Sequence, residues 1–230
     1  MKTIGLIGGL SWVSTLDYYR IINEEVNKSR GGDEASQLIL YSLNYGKIKK
    51  LTFAGDWNAI IILITNAAQK LEKAGADCLL ICANTMHKVA NEVKAAISIP
   101  LIHIADVTAD EIKMSNLNVV ALLGTEYTMK LDFYKERLAG HGIKTIIPDN
   151  DEMGIINNAI YDELGKGIFH EKTKKNFLRI INNLADRGAQ GVILGCTEIP
   201  LLIKQSDCDL PVFDTTFLHA KAAVNFALAS

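Results

Sequence analysis

Short runs of apolar residues alternate along the chain with longer stretches whose apolar positions recur at helical spacing. The runs at 4–7, 38–41, 78–82, 101–104, 119–123, 144–147, 191–194 and 212–213 are continuous. Strands of that kind suit a parallel sheet covered on both faces. The stretches 12–27, 57–73 and 175–187 carry helical patterns. The first follows Gly8-Gly9 and presents Leu16, Tyr19, Ile22 and Val26 at helical spacing. The last ends at Gly188, as helices often do. Strand–helix alternation throughout predicts an α/β fold with parallel sheet.

The chain also repeats itself. Ile4-Gly5-Leu6-Ile7-Gly8 resembles Val120-Ala121-Leu122-Leu123-Gly124, and Leu16-Asp17-Tyr18-Tyr19 resembles Leu131-Asp132-Phe133-Tyr134. Gly75-Ala76 and Gly188-Ala189 each introduce an apolar strand, and Ile99-Pro100-Leu101-Ile102 resembles Leu210-Pro211-Val212-Phe213. The matches keep their order, with an offset of roughly 111 to 116 residues. Two similar lobes are expected, at 1–115 and 116–210, with a C-terminal strand and helix at 211–230 packing back on the first. In this register Ala83 of the first lobe matches Cys196 of the second.

Composition narrows the chemistry. The net charge is −2 and no large Lys/Arg cluster occurs, which argues against a nucleic-acid partner. Lys47-Ile48-Lys49-Lys50 is the densest basic stretch and reads as a solvated face. No apolar run reaches the ~18 residues of a membrane span. Met1-Lys2-Thr3 leads straight into the first strand, so no secretory leader is expected and a cytoplasmic location is. The four cysteines, Cys78, Cys82, Cys196 and Cys208, are then reduced thiols. No C-x-x-C or paired-histidine spacing supports a metal site.

The ends of parallel strands are where open α/β sheets bind ligands. Ala83-Asn84-Thr85 and Cys196-Thr197-Glu198 both fall at such ends, each just before a helix. A helix start favours an anion, which suits a substrate carboxylate and also lowers a thiol pKa. Cys196 is the candidate reactive thiol; Cys78 and Cys82 read as buried fillers on one strand face. His87, two residues beyond Thr85, is a candidate assisting group. Gly8-Gly9-Leu10-Ser11 lacks nucleotide-binding spacing and reads as a tight loop that a small ligand can approach.

GLIGGLSWVSTLDYY from Gly5, ANTMH from Ala83 and GCTEIPLL from Gly195 resemble the cofactor-independent aspartate/glutamate racemases, essentially over the full length. The resemblance implies two similar α/β lobes related by a pseudo-twofold, with the active site in the cleft between them, and a homodimer. It implies proton exchange at the α-carbon of an acidic amino acid by two cysteines, without metal or pyridoxal. Cys196 then stands as one catalytic thiol, and Ala83 occupies the position of the other. The resemblance puts Asn84, Thr85 and Thr197 on the substrate's carboxylate and amino group and Lys166 toward its side chain; Leu10, Ser11, Glu198 and Thr52 are further candidate substrate contacts. Because a methyl group cannot move a proton, two alternatives stay open. One is a single-cysteine decarboxylase of malonate-like acids; the other is a catalytically weak amino-acid-binding relative.

Overall fold

The continuous apolar runs form parallel strands in two separate sheets. The computed structural model describes residues 1–229. The chain divides into two units, Met1–His103 with the chain from His219 onward, and Ile104–Leu218.

The first unit holds β1 (Ile4–Gly8), α1 (Trp12–Arg30), β2 (Leu38–Ser42), α2 (Tyr45–Ala54), α3 (Trp57–Lys73), β3 (Cys78–Ile81) and α4 (Ala90–Ala95). Its sheet has the order β2-β1-β3, all parallel, and a parallel bridge from Leu79 to Leu101 extends it. The second unit holds α5 (Ile104–Met114), β4 (Val119–Gly124), α6 (Glu126–Lys130), α7 (Asp132–Gly140), β5 (Lys144–Ile146), α8 (Asn150–Asp162), α9 (Glu171–Asp186), β6 (Val192–Gly195), α10 (Ile199–Leu202) and β7 (Val212–Asp214). Its sheet runs β5-β4-β6-β7, again all parallel. α11 (Thr215–Leu228) follows β7, and from His219 its residues belong to the first unit.

The duplication read from sequence extends to strand register. Gly5 pairs with Leu79 in the first sheet, and Ala121 with Val192 in the second. Leu79 bridges Leu101 as Val192 pairs with Val212. The same hydrogen bonds recur: Leu79 N–H to Pro100 O at 2.9 Å, and Val192 N–H to Pro211 O at 2.9 Å. Gly75 and Gly188, at the matching turns, share a φ of 96°. The helices that precede β3 and β6 bury matching stripes, with Ile64, Ala67, Ala68 and Leu71 on α3 and Phe177, Ile180, Ile181 and Leu184 on α9. These positions follow i, i+3, i+4, i+7, the spacing of one helix face. Burying each large side chain contributes roughly 1.5–3 kcal/mol. The central strands β1, β3 and β6 are buried at every position, whereas the edge strands β2 and β5 are partly exposed.

Several elements depart from the sequence expectations. Ile104 opens α5 rather than closing a strand, because only Leu101 of that run pairs in the sheet. α1 extends to Arg30, with Gly31 N–H donating to Asn27 O at the cap. Its buried stripe runs through Ser14, Thr15, Tyr18, Ile21, Ile22 and Val26. That rotation leaves Leu16 61% and Tyr19 54% exposed, contrary to the expected apolar face. Lys47, Lys49 and Lys50 lie on α2, an element absent from the sequence reading, whose N-cap Asn44 accepts from Lys47 N–H.

Candidate active site

In the second unit β6 delivers Cys196 to the end of the sheet. The approach requires glycine at Gly195: a Cβ there would sit 2.7 Å from Leu123 O and 2.8 Å from Leu122 Cδ1. Its neighbour across the ladder, Gly124, is equally confined: a Cβ there would lie 2.6 Å from Gly195 O. The chain then turns tightly, with Ile199 N–H donating to Cys196 O at 3.1 Å, and Pro200 sits in the first turn of α10. Pro at this position lacks only an N–H that the helix start would leave unused.

Cys196, Thr197 and Glu198 are all buried. The Cys196 thiol donates to Glu198 Oε2 at 2.9 Å, and Thr197 Oγ1 donates to the same oxygen at 3.1 Å. Two further groups, both from the first turn of α11, brace this strand end. Thr215 Oγ1 donates to Leu194 O at 2.8 Å, and Thr216 Oγ1 to Thr197 O at 3.4 Å. Asp214 Oδ1 accepts from the Thr216 and Phe217 N–H groups and so caps α11.

The ionisation of Cys196 runs opposite to the sequence expectation. The helix-start N–H groups of Glu198 and Ile199 do favour the thiolate. Burial outweighs them, and the Glu198 charge and hydrogen bond add to it, so the thiol pKa lies well above its ordinary value. The resting side chain is a protonated thiol facing a carboxylate. Glu198, expected as a substrate contact, is thus the immediate partner of the sulfur.

The matching strand end of the first unit is built differently. Cys82 N–H donates to Ile7 O at 3.0 Å and Ala83 N–H to Ile81 O at 2.8 Å. A short 3₁₀ turn, Thr85–Val89, follows, with Asn84 and Thr85 buried at its start. His87 is buried, and its Nδ1 lies 2.8 Å from Ala83 O. Burial just past the end of β3 drives the Cys82 pKa strongly upward, and burial pushes Cys78 up to about 12.

The loop after β1 holds Leu10 and Ser11, both buried. Gly9 adopts φ 67°, and a Cβ there would lie 2.1 Å from Leu43 O. Its N–H donates to Thr15 Oγ1, which in turn donates to Ser11 O. Ser11 is the N-cap of α1 but makes no cap bond, and its buried Oγ has no hydrogen-bond partner. Thr52 is buried with its hydroxyl donating to Ile48 O at 2.9 Å. The same helix, α2, borders an open concavity of about 520 Å³ lined by Asn44, Gly46, Lys47, Lys50 and Leu51. In the second unit Lys166 lies on a 3₁₀ turn, 56% exposed, with Nζ 3.9 Å from Asp162.

Sequence reasoning passed over His103, His219, Asp214 and Thr215. Asp214 follows the apolar run at 212–213 and His103 interrupts the one at 101–104, so the strand-end rule applied at every run would have marked both.

A buried thiol and carboxylate thus meet at the end of a parallel sheet in an α/β protein of two similar units. The profile described as Asp/Glu/Hydantoin racemase matches residues 7–223, and the chain belongs to that family. It is 27% identical over 166 residues to the "Broad specificity amino-acid racemase RacX" of Bacillus subtilis, covering 72% of this chain and 71% of that one. A Yersinia pestis crystal structure solved as a candidate Asp/Glu racemase is 47% identical with a TM-score of 0.92, covering 100% of both chains. The structure of an aspartate racemase homologue from Pyrococcus horikoshii OT3 is 36% identical with a TM-score of 0.85, again over 100% of both.

Proposed function

We propose that the chain racemises an acidic amino acid, aspartate or glutamate, using Cys196 and neither metal nor pyridoxal. The observation that carries this reading is the buried Cys196 thiol bonded to Glu198 at the end of β6. Sulfur held beside a carboxylate can pass its proton to that oxygen and then accept the α-hydrogen as a thiolate, or donate the thiol proton to a carbanion. The names of similar proteins, among them a broad specificity amino-acid racemase, point to the same reaction.

Asn84, Thr85 and Thr197 are assigned to the substrate's carboxylate and amino group. Leu10 and Ser11 join them: a buried hydroxyl without a partner costs about 1–3 kcal/mol, which a bound acceptor recovers. Lys166 is assigned to the side-chain carboxylate, since its exposed ammonium holds Asp162 only loosely. Thr52 and Lys47 are assigned to the substrate's side-chain end. A cytoplasmic homodimer completes the reading, on the strength of the family resemblance.

One observation favours a second reading. Ala83 carries no proton, and a decarboxylase of malonate-like acids needs only one donor, a role that a resting protonated thiol fills. Chiral chromatography of D- and L-aspartate and glutamate, with and without the chain, decides between them. Interconversion abolished by Cys196→Ser supports the racemase. Loss of carbon dioxide from a geminal diacid, with no interconversion, overturns it in favour of the decarboxylase.

A further inference from the structure

α1 leaves an apolar face uncovered. Its buried stripe, through Tyr18, Ile22 and Val26, packs inward, while Trp12, Leu16 and Tyr19 lie on another face. Trp12 is 59% exposed, and Leu16 and Tyr19 are likewise more than half exposed. Their spacing of four and then three residues sets them in one line along the helix. The line widens toward the sheet. A Cβ on Gly8 would lie 2.5 Å from Thr15 Cγ2 and 2.6 Å from Leu40 Cδ1, so the Leu40 side chain reaches α1 beside Thr15. Thr15 is three residues from Trp12 and four from Tyr19, and Leu40 therefore extends the same surface. Leu40 stands on the edge strand β2 and is 43% exposed. Together the four side chains leave roughly 400 Å² of apolar surface in water, the size at which a patch marks an interaction site.

The size and pattern fit a second copy of this chain. A stable complex covers about 800 Å² on each partner, with an apolar centre and a polar rim. The patch supplies about half of that area as a centre. Arg20 and Glu24 follow Leu16 along α1 and supply a rim. Arg20 is held on both sides, by Asp17 at 2.9 Å and Glu24 at 2.7 Å. A cation neutralised within its own helix calls for no partner of opposite charge, and two such rims meet without a bare charge. The order aromatic, aliphatic, aromatic also reads alike from either end. A two-fold contact requires this, because the same surface meets itself. Along the axis Trp12 lies about 6 Å before Leu16 and Tyr19 about 4.5 Å after it. Two α1 helices crossed antiparallel at Leu16 therefore set Trp12 of each copy beside Tyr19 of the other.

We propose that the face of α1 bearing Trp12, Leu16 and Tyr19, with Leu40, is the two-fold interface of a homodimer. The inference goes beyond the homodimer in the reading above by naming the face that makes it, and it does not depend on the reaction at Cys196. Trp12 directly follows Ser11, so the second copy braces the end of α1 that carries this buried hydroxyl.

Sedimentation velocity of the full chain tests it. The wild type is expected to sediment as a dimer at micromolar concentration. Leu16→Glu and Leu16→Lys each bring two like charges together at the two-fold axis, and each is expected to weaken the dimer about a hundredfold or more. An equimolar mixture of the two variants pairs opposite charges and is expected to recover the dimer, an effect that a general loss of stability cannot give. Leu16 is exposed, so both variants should keep the wild-type circular dichroism. Trp12→Gln, expected to weaken the dimer about tenfold or more, covers a failure of either to fold. Dimers of wild-type strength in the single variants, or a mixture that stays monomeric, overturn the assignment of this face and leave the homodimer standing. A wild type that sediments as a monomer overturns both.

Discussion

Replacing Glu198 with glutamine removes the charge that faces the Cys196 sulfur and keeps the shape of the side chain. Three causes hold the thiol protonated, in order burial, the Glu198 charge and the Glu198 hydrogen bond. Glutamine deletes the second and weakens the third. Burial then stands against the N–H groups of Glu198 and Ile199, which favour the thiolate. The sulfur and carboxylate oxygen are 2.9 Å apart. With roughly 4 Å between charge centres and an effective dielectric of about 20, thiolate–carboxylate repulsion is about 4 kcal/mol. Each factor of ten in thiolate population corresponds to about 1.4 kcal/mol. The Glu198→Gln variant is therefore expected to carry roughly tenfold to thousandfold more thiolate at a given pH. Ultraviolet thiolate absorbance against pH reads this directly, after subtraction of the Glu198→Gln/Cys196→Ser double variant. The subtraction removes Cys208, the one partly exposed thiol among the four cysteines. A Cys196 that titrates at the same pH as in the wild type, or higher, would refute the claim that Glu198 holds it protonated.

His219 makes stability depend on acid. Burial holds its folded pKa at about 4, below the ordinary 6.5, so between those values the unfolded chain binds a proton that the folded chain does not. Stability from this group is whole above pH 6.5 and falls as the pH drops toward 4, by about 3 kcal/mol. Denaturant unfolding at stepped pH should show a flatter slope in that window for His219→Gln; an unchanged slope contradicts the assignment. Gly195→Ala forces a Cβ against Leu123 O and Leu122 Cδ1 and should cost about 1–3 kcal/mol, read as a lowered urea midpoint. Wild-type stability in that variant would mean the strand end has room the geometry denies. Ala83→Cys restores an acid/base and should raise racemisation at least about tenfold, read by chiral chromatography. No gain in the folded variant contradicts the role given to position 83.

The α/β class and the duplication were legible because buried parallel strands leave unbroken apolar runs. The structure carries the same offset into strand pairing, Gly5 with Leu79 and Ala121 with Val192. Cys196 was legible for a related reason, since a strand followed by Gly195 and then Pro200 marks a strand end and a helix start. The sense of its ionisation was not legible. A helix start alone argues for a thiolate, and only the buried contact with Glu198 shows which influence wins. The rotation of α1 was missed because Leu16 and Tyr18 are both apolar enough to fit a stripe, and only packing selects Tyr18. The hydrogen bond between Tyr18 and His219 was invisible for a topological reason. The two are 201 residues apart, and α11 joins the first unit only after the chain has completed the second.

The central claim is that Cys196 moves the α-hydrogen of an acidic amino acid. Mass-spectrometric measurement of deuterium at Cα, after incubation of L- and D-aspartate and glutamate in deuterium oxide, tests it most directly. The account expects label in at least one of these amino acids with the wild type and almost none with folded Cys196→Ser, whose hydroxyl is far less acidic than a thiol. Equal labelling by the two proteins, or no label with the wild type, would contradict it.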